Sequence, residues 1–208
     1  MSDLEYAGGR VIQKTGSLAT IQLPTPVSGS TFNAANEITA FNGAALSYDA
    51  NGNLVNDGTN TYGWDARDHL VSIAGVNSAG FVYDALGRRV AKTVNGTVTQ
   101  FLYDGLNPVE ELDGASPPNV TAGILTGLNI DEFFQRTDPV NGATNFLTDT
   151  LGSTLALADA SGAIGTKYTY EPFGNVTVNG VSSNPYQFTG HENDARDCTT
   201  IALDTTAR

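Results

Sequence analysis

The groups in this chain with the most chemistry to offer are its twenty-two aspartates and glutamates, set against ten lysines and arginines. Two carboxylates about 5 to 10 Å apart across a cleft could serve a glycoside hydrolase, a spacing that a sequence does not reveal. Turn aspartates that accept bonds from nearby amides are the commoner use of such residues. Asp49-Ala50-Asn51-Gly52-Asn53 is like the opening of a calcium loop, but Leu54 stands at its glycine position and Asn60 at its bidentate glutamate. That excludes an EF-hand and leaves only weak calcium binding by turn carboxylates. His191-Glu192-Asn193-Asp194 lacks the second histidine of a zinc protease helix and reads as structural. Cys198, His69 and His191 fall short of a metal ligand set, and a single cysteine forms no internal disulfide. No Ser, His and Asp set, phosphate loop or basic amphipathic helix rises above background. The expectation is therefore no catalytic residue, no cofactor and no metal.

The elements that would position these side chains are strands. The chain has 208 residues, enough for one sizeable domain, with 40% hydrophobic content. Its 23 glycines, a charged fraction of only 15% and its many Asn, Thr and Ser favour strands and tight turns over helices. The predicted class is all-β. A net charge of -12 repels phosphate backbones and anionic membranes, so no nucleic acid partner is expected. No run approaches the roughly 18 apolar residues of a membrane span. The first residues, Met1-Ser2-Asp3-Leu4-Glu5, are acidic where a secretory signal is basic, so any export information is expected elsewhere and the localisation is unreadable. The chain reads as a fragment.

Its organising stretch is residues 81–105. Strand-like runs at 89–94 and 97–103 flank Asn95-Gly96, the dipeptide best suited to a two-residue hairpin turn. In the second run neither alternating face is cleanly polar, so burial from both sides is expected. The motif then recurs. Tyr48-Asp49 with Gly52, Trp64-Asp65, Tyr83-Asp84 with Gly87 and Arg88, and Tyr103-Asp104 follow one another, the aspartates stepping by 16, 19 and 20 residues. Residues 6–16 look like a degraded copy of 83–93. Further hairpin turns are expected at Asn42-Gly43, Asn141-Gly142 and Asp159-Ala160-Ser161-Gly162, with a loop at 113–118.

The Tyr-Asp-x-x-Gly pattern at Tyr48 and Tyr83, more loosely at Tyr6 and Trp64, resembles the YD repeat of bacterial Rhs proteins and animal teneurins. Asp149-Thr150-Leu151-Gly152-Ser153, Tyr168-Thr169-Tyr170-Glu171-Pro172-Phe173-Gly174 and residues 184–192 are similar to the Rhs-associated core that closes the repeat region. The resemblance divides the chain into YD repeats at 1–110, an incomplete core at 111–194 and an aberrant tail at 195–208. It implies an antiparallel β ribbon coiled into a hollow shell, which in complete family members encloses a C-terminal toxin. Tyr would stack on neighbouring strands, Gly would allow the turn and Asp would accept turn amides.

The tail departs from the family, which continues with a segment like Gly-Leu-Tyr-Tyr-Tyr-Arg-Ala-Arg-Tyr-Tyr. Codons compatible with residues 196–208, read from the third base, encode that very segment, so a frameshift near Ala195 is expected and Cys198 becomes an accident of translation. The expected function is a structural, non-enzymatic shell segment without its toxin. Its partners would be the remaining repeats or other copies of itself. Two readings from other classes stand beside it: a module binding glycans or another cell through Tyr and Trp64, and a glycoside hydrolase. Parent proteins of the family are secreted or cell-surface. A ribbon of five or six hairpins with uncovered faces and edges is expected to self-associate.

Overall fold

The computed structural model describes residues 4–7, 10–14, 22–24, 26, 29–76 and 78–194. The tail with its expected frameshift lies outside the described residues. Among them are nineteen strands: β1 (Leu4–Ala7), β2 (Arg10–Lys14), β3 (Thr31–Phe32), β4 (Ile38–Phe41), β5 (Ala44–Ala45), β6 (Ser47–Tyr48), β7 (Leu54–Asn56), β8 (Thr61–Trp64), β9 (Leu70–Ala74) and β10 (Ala79–Tyr83). They continue as β11 (Arg89–Val94), β12 (Thr97–Asp104), β13 (Asn107–Asp113), β14 (Val120–Thr126), β15 (Phe133–Asp138), β16 (Gly142–Thr148), β17 (Thr154–Ala158), β18 (Ile164–Tyr170) and β19 (Val176–Asn179). A single 3-10 turn, Phe188–Gly190, is the one helical element among the described residues.

Strands β6 to β19 follow one another in a fourteen-stranded sheet whose order is the sequence order. Each strand therefore pairs with its chain neighbours through a short connection, the topology that local hairpin turns produce. Asn95 and Gly96 take φ values of 48° and 85° between β11 and β12, and Asn42 and Gly43 take 49° and 84° between β4 and β5. Both positive values suit the right-handed twist of a two-residue hairpin. At Asn141-Gly142 the turn falls earlier than the dipeptide indicates. Asp138 pairs with Gly142, so the loop is Pro139, Val140 and Asn141. The Asp138 carboxylate fixes that register by accepting the Val140 and Asn141 amides, both at 2.8 Å.

Internal contacts divide the described chain into two units. One holds 26–101 and 113–118, the other β1, β2, residues 22–24, 102–112 and 119–194. In the former, one face buries Leu54, Tyr62, Leu70, Ile73, Phe81 and Phe101. Two cations join this face. The Arg89 guanidinium lies 4.3 Å from the Phe81 ring centre and the Lys92 ammonium 5.6 Å from that of Phe101, within cation–π range.

In the other unit Ile124, Phe133, Phe146, Leu157, Tyr168, Tyr170 and Tyr186 form the core, with Val176 and Phe188 packed against it. Full burial of each such side chain contributes roughly 1.5–3 kcal/mol. Phe133 holds the centre, 4.3 Å from the Tyr186 ring and 6.0 Å from that of Phe146.

Burial of β12 from both sides is not what the structure has. Phe101 is buried while Val98 and Leu102, on the opposite face, are 36% and 52% exposed. Among the described residues, the face of β12 that carries Phe101 packs into a core, while the alternate positions Val98 and Leu102 keep partial exposure. Among the described residues no helix is long and apolar enough to cross a membrane.

Candidate functional site

The recurring feature is a loop built on one aspartate. At Asp84 the carboxylate Oδ1 accepts the Leu86 amide at 2.8 Å and the Arg88 amide at 3.0 Å. The backbone closes the same loop twice, with the Asp84 amide donating to the Arg88 carbonyl and the Gly87 amide to the Asp84 carbonyl. Four hydrogen bonds to three neighbours of one residue thereby fix the loop without help from distant strands.

The pattern repeats at Asp49, whose Oδ1 accepts the amides of Asn51 and Asn53. It repeats at Asp65 with Arg67 and His69, at Asp149 with Leu151 and Ser153, and at Asp159 with Ser161 and Ala163. The fourth loop residue is glycine at φ values of 82° to 90°, except in the Asp65 loop, where Asp68 sits at 63°. Asp49, Asp65, Asp84 and Asp159 are all held below the ordinary carboxylate range. The causes are led by the Asn53 side chain at Asp49, by the His69 amide at Asp65 and by the Ser161 hydroxyl at Asp159. At Asp84 partial burial opposes the charge, and the bonds from Arg88 outweigh it.

In three of these loops the side chain of the fifth residue also reaches the second carboxylate oxygen. Asn53 Nδ2 donates to Asp49 at 3.0 Å, His69 Nδ1 lies 3.0 Å from Asp65, and Arg88 Nε donates to Asp84 at 2.8 Å. Successive loops also touch. Asn51 and Asn53 donate to Asp68 at 3.0 and 2.8 Å, and Arg67 donates to the Ala85 carbonyl. A Cβ at Gly87 would lie 3.3 Å from the His69 ring, which itself stacks on Tyr83 with centroids 4.7 Å apart.

Where an aromatic residue precedes the loop's acidic residue, at Tyr48, Trp64, Tyr83 and Tyr170, it ties its repeat to the strands before it. Tyr48 donates to the Ile38 carbonyl at 3.0 Å, Trp64 Nε1 to that of Leu54 at 2.8 Å, Tyr83 to that of Leu70 at 2.9 Å, and Tyr170 to that of Thr154 at 2.7 Å. Leu54, Leu70 and Thr154 are themselves buried. Each tie thus satisfies a carbonyl beside the core.

The remaining motif residues fall differently. Asp104 ends β12 and leads into the tighter Gly105-Leu106 turn, with Tyr103 half-buried beside it. Glu171 and Gly174 reproduce the two backbone bonds of the loop, with Gly174 against the Phe188 ring, while Pro172 and Phe173 are exposed at the loop tip. Tyr168 is buried and its hydroxyl has no hydrogen-bond partner, as is also true of Tyr186. His191 lies 2.6 Å from the Thr189 hydroxyl and 3.8 Å from Asp131. No group of three or more His, Cys, Asp or Glu able to hold a metal occurs among the described residues.

Two features go beyond the sequence reading. The turn expected at Asp159-Ala160-Ser161-Gly162 is also a copy of the loop, without an aromatic before it and with the Asp-x-x-Gly spacing as its signal. The other gives no local signal. Arg136 is bidentate to Glu111, Nε to Oε1 at 3.1 Å and Nη2 to Oε2 at 2.7 Å, and its Nη1 also binds Asp138 and the Ser183 hydroxyl. All three charged side chains are at most 7% exposed. Burial opposes the Asp138 charge, and the Asn141 amide and side chain, Ser183 and the Val140 amide overcome it, holding its pKa at about 2. Burial likewise opposes the Arg136 charge, and Glu111 more than restores it. The cluster anchors residues 182–184 to the hairpin of β15 and β16.

A sequential antiparallel sheet whose aspartate loops recur and touch, and whose aromatic residues bond back to earlier strands, defines a structural repeat protein. The family model described as Teneurin YD-shell matches residues 13–189, and the chain belongs to that family. It is 34% identical over 192 residues to the tRNA3(Ser)-specific nuclease WapA of Bacillus spizizenii, covering 87% of this chain and 8% of that protein. It is 34% identical over 191 residues to the tRNA nuclease WapA of Bacillus subtilis, again 87% and 8%. The chain thus spans under a tenth of these relatives. Among solved structures it is similar to the TcdB2-TccC3-Cdc42 complex, with TM-score 0.56 and 16% identity over 70% of this chain and 8% of that one. It is also similar to the Photorhabdus luminescens Tc holotoxin pore, with TM-score 0.56 and 13% identity over 86% and 12%.

Proposed function

We propose that this chain is a segment of an Rhs shell that encapsulates a C-terminal toxin in the complete protein, and that the segment itself is not an enzyme. The family match across residues 13–189 carries this reading. The uses of the aspartates support it. A glycosidase acid needs a carboxyl held protonated by its surroundings. Asp49, Asp57, Asp65, Asp84, Asp138 and Asp159 are all held the other way, ionised and bonded to donors. Residues 1–110 serve as YD repeats and 111–194 as an incomplete Rhs core. The sheet edges pair with the remaining repeats or with another copy, since a strand edge with unpaired amides invites a further strand. The nuclease names of the WapA relatives belong to proteins about twelve times longer and do not assign an activity to this segment.

The test is a hybrid in which residues 13–189 replace the matching stretch of a complete YD-shell protein. The enclosed C-terminal region is expected to keep its resistance to protease. Circular dichroism confirms that the hybrid is folded. A folded hybrid whose C-terminal region is digested as fast as a free tail overturns the reading, and so does hydrolysis of a glycoside by the isolated chain.

A further inference from the structure

Five asparagines stand directly before glycine, at Asn42, Asn51, Asn95, Asn141 and Asn179. Glycine has no Cβ to shield its amide nitrogen, so that nitrogen can reach the carboxamide carbon of the residue before it. The chemistry open to such a pair is self-modification in water. The glycine amide gives up its proton to base, its nitrogen forms a bond to Cγ, and the side-chain nitrogen leaves as ammonia with a proton returned by the solvent. Water then opens the resulting succinimide at one of its two carbonyls, giving aspartate or isoaspartate, and nothing is oxidised or reduced.

The bonds already made set the five sites apart. Asn51 Nδ2 donates to Asp68 at 3.0 Å, and the Gly52 amide donates to the Asp49 carbonyl at 3.2 Å. Asn141 Nδ2 is held by the Asp138 carboxylate at 3.2 Å and by Ser183 Oγ at 2.9 Å. Asn179 pairs with Lys167 at the end of β19, and a Cβ at Gly180 would lie 2.3 Å from the Gly165 carbonyl oxygen, so that backbone is packed. Asn95 Oδ1 accepts the Ser78 amide at 3.1 Å, and the Asn95 amide donates to the Ser78 carbonyl at 2.9 Å. Asn42 differs from all four. It is exposed, its side chain makes no hydrogen bond among the described residues, and a Cβ at Gly43 would meet nothing within 4 Å.

Asn42 and Asn95 share one turn conformation, with φ values of 49° and 48° followed by 84° and 85° at the glycines, so the backbone does not separate them. The strands behind them do. β4 and β5 are joined by the two pairs Ala40 with Ala45 and Phe41 with Ala44, whereas β11 and β12 are joined by four, from Ala91 with Gln100 to Val94 with Thr97. A hairpin with so few pairs opens locally at low cost, which frees the rotation that carries the nitrogen to Cγ. We propose that Asn42 is a site of spontaneous succinimide formation and becomes aspartate and isoaspartate ahead of the other four. Isoaspartate routes the main chain through the former side chain and adds one atom to a two-residue turn, which breaks the match of that turn to its strands. The Leu46 amide bond to the Thr39 carbonyl at 3.0 Å and the Tyr48 bond to that of Ile38 lie directly behind the turn, so the modification loosens the Tyr48 tie. This site does not depend on the shell reading, and either can fail alone.

Peptide mapping by mass spectrometry of the 208-residue chain, aged in mildly alkaline buffer, reads the products at each site. Rates are taken relative to the guanidinium-unfolded chain, where sequence alone sets them. In the folded chain Asn42 should react roughly tenfold faster than Asn51, Asn95, Asn141 or Asn179, about the factor that one or two hydrogen bonds impose. Hydrogen exchange of the separated isoaspartate form should rise at Leu46 and stay unchanged at 89–100. A folded chain in which Asn42 stays intact, or in which any of the other four matches its rate, overturns the proposal, and unchanged exchange at Leu46 overturns the loosening.

Discussion

The Tyr83 hydroxyl donates to the carbonyl of Leu70 at 2.9 Å, across thirteen residues of sequence. Leu70 is wholly buried on β9, so the polar tip of one repeat's aromatic satisfies a carbonyl at the core of the repeat before it. Tyr83→Phe removes that donor and is expected to cost about 1 kcal/mol in urea unfolding. Tyr168→Phe is the counterpart. Its hydroxyl is buried and unpartnered, and the same change should leave stability unaltered or raise it.

Asp84→Ala takes away the acceptor for two loop amides and the partner of Arg88. A measurable loss of stability is expected, as for other side chains that cap backbone amides. Asp104→Ala, outside such a loop, should cost much less. Equal losses in chemical denaturation would show that the carboxylate bonds do not hold the turn.

Gly87→Ala places a side chain at φ 83° and 3.3 Å from the His69 ring. A loss of roughly 1–2 kcal/mol is expected. Gly80→Ala, on β10 with open space at its Cβ, should be neutral or stabilising by about 0.5 kcal/mol. Melting temperatures of the two variants decide the comparison.

Arg136→Met strands Glu111 and Asp138 together in the core. Breaking a buried ion pair from one side costs about 3–5 kcal/mol, so this variant should be the most destabilised of the set. Hydrogen exchange should also rise in residues 182–184, which the cluster anchors.

Acid should weaken the fold in a defined window. The Asp138 pKa is about 2 in the folded chain against an ordinary 3.8. A folded value below the unfolded one gives stability that is complete above about pH 4 and is lost as the pH falls towards 2. The contribution is about 2 kcal/mol. Asp49, Asp65, Asp84 and Asp159 act in the same direction. Denaturation followed from pH 5 to pH 2 should show this slope, and Asp138→Asn should flatten it.

The sequence by itself determined what is local. Asn95-Gly96 set a hairpin because only positive φ at both positions matches the twist of the flanking strands. The spacing from Asp84 to Gly87 set a loop because one short carboxylate reaches the amides two and four residues on. Repetition of those signals, with Tyr or Trp before the aspartate, made the all-β class and the family legible. Tertiary structure decided what depends on distance. Glu111 and Arg136 are 25 residues apart, and nothing near either announces a partner that only strand register supplies. The same holds for the faces of β12. Alternation separates Phe101 from Val98 and Leu102, but which side meets a core depends on what packs there, and among the described residues it is the Phe101 side that is covered.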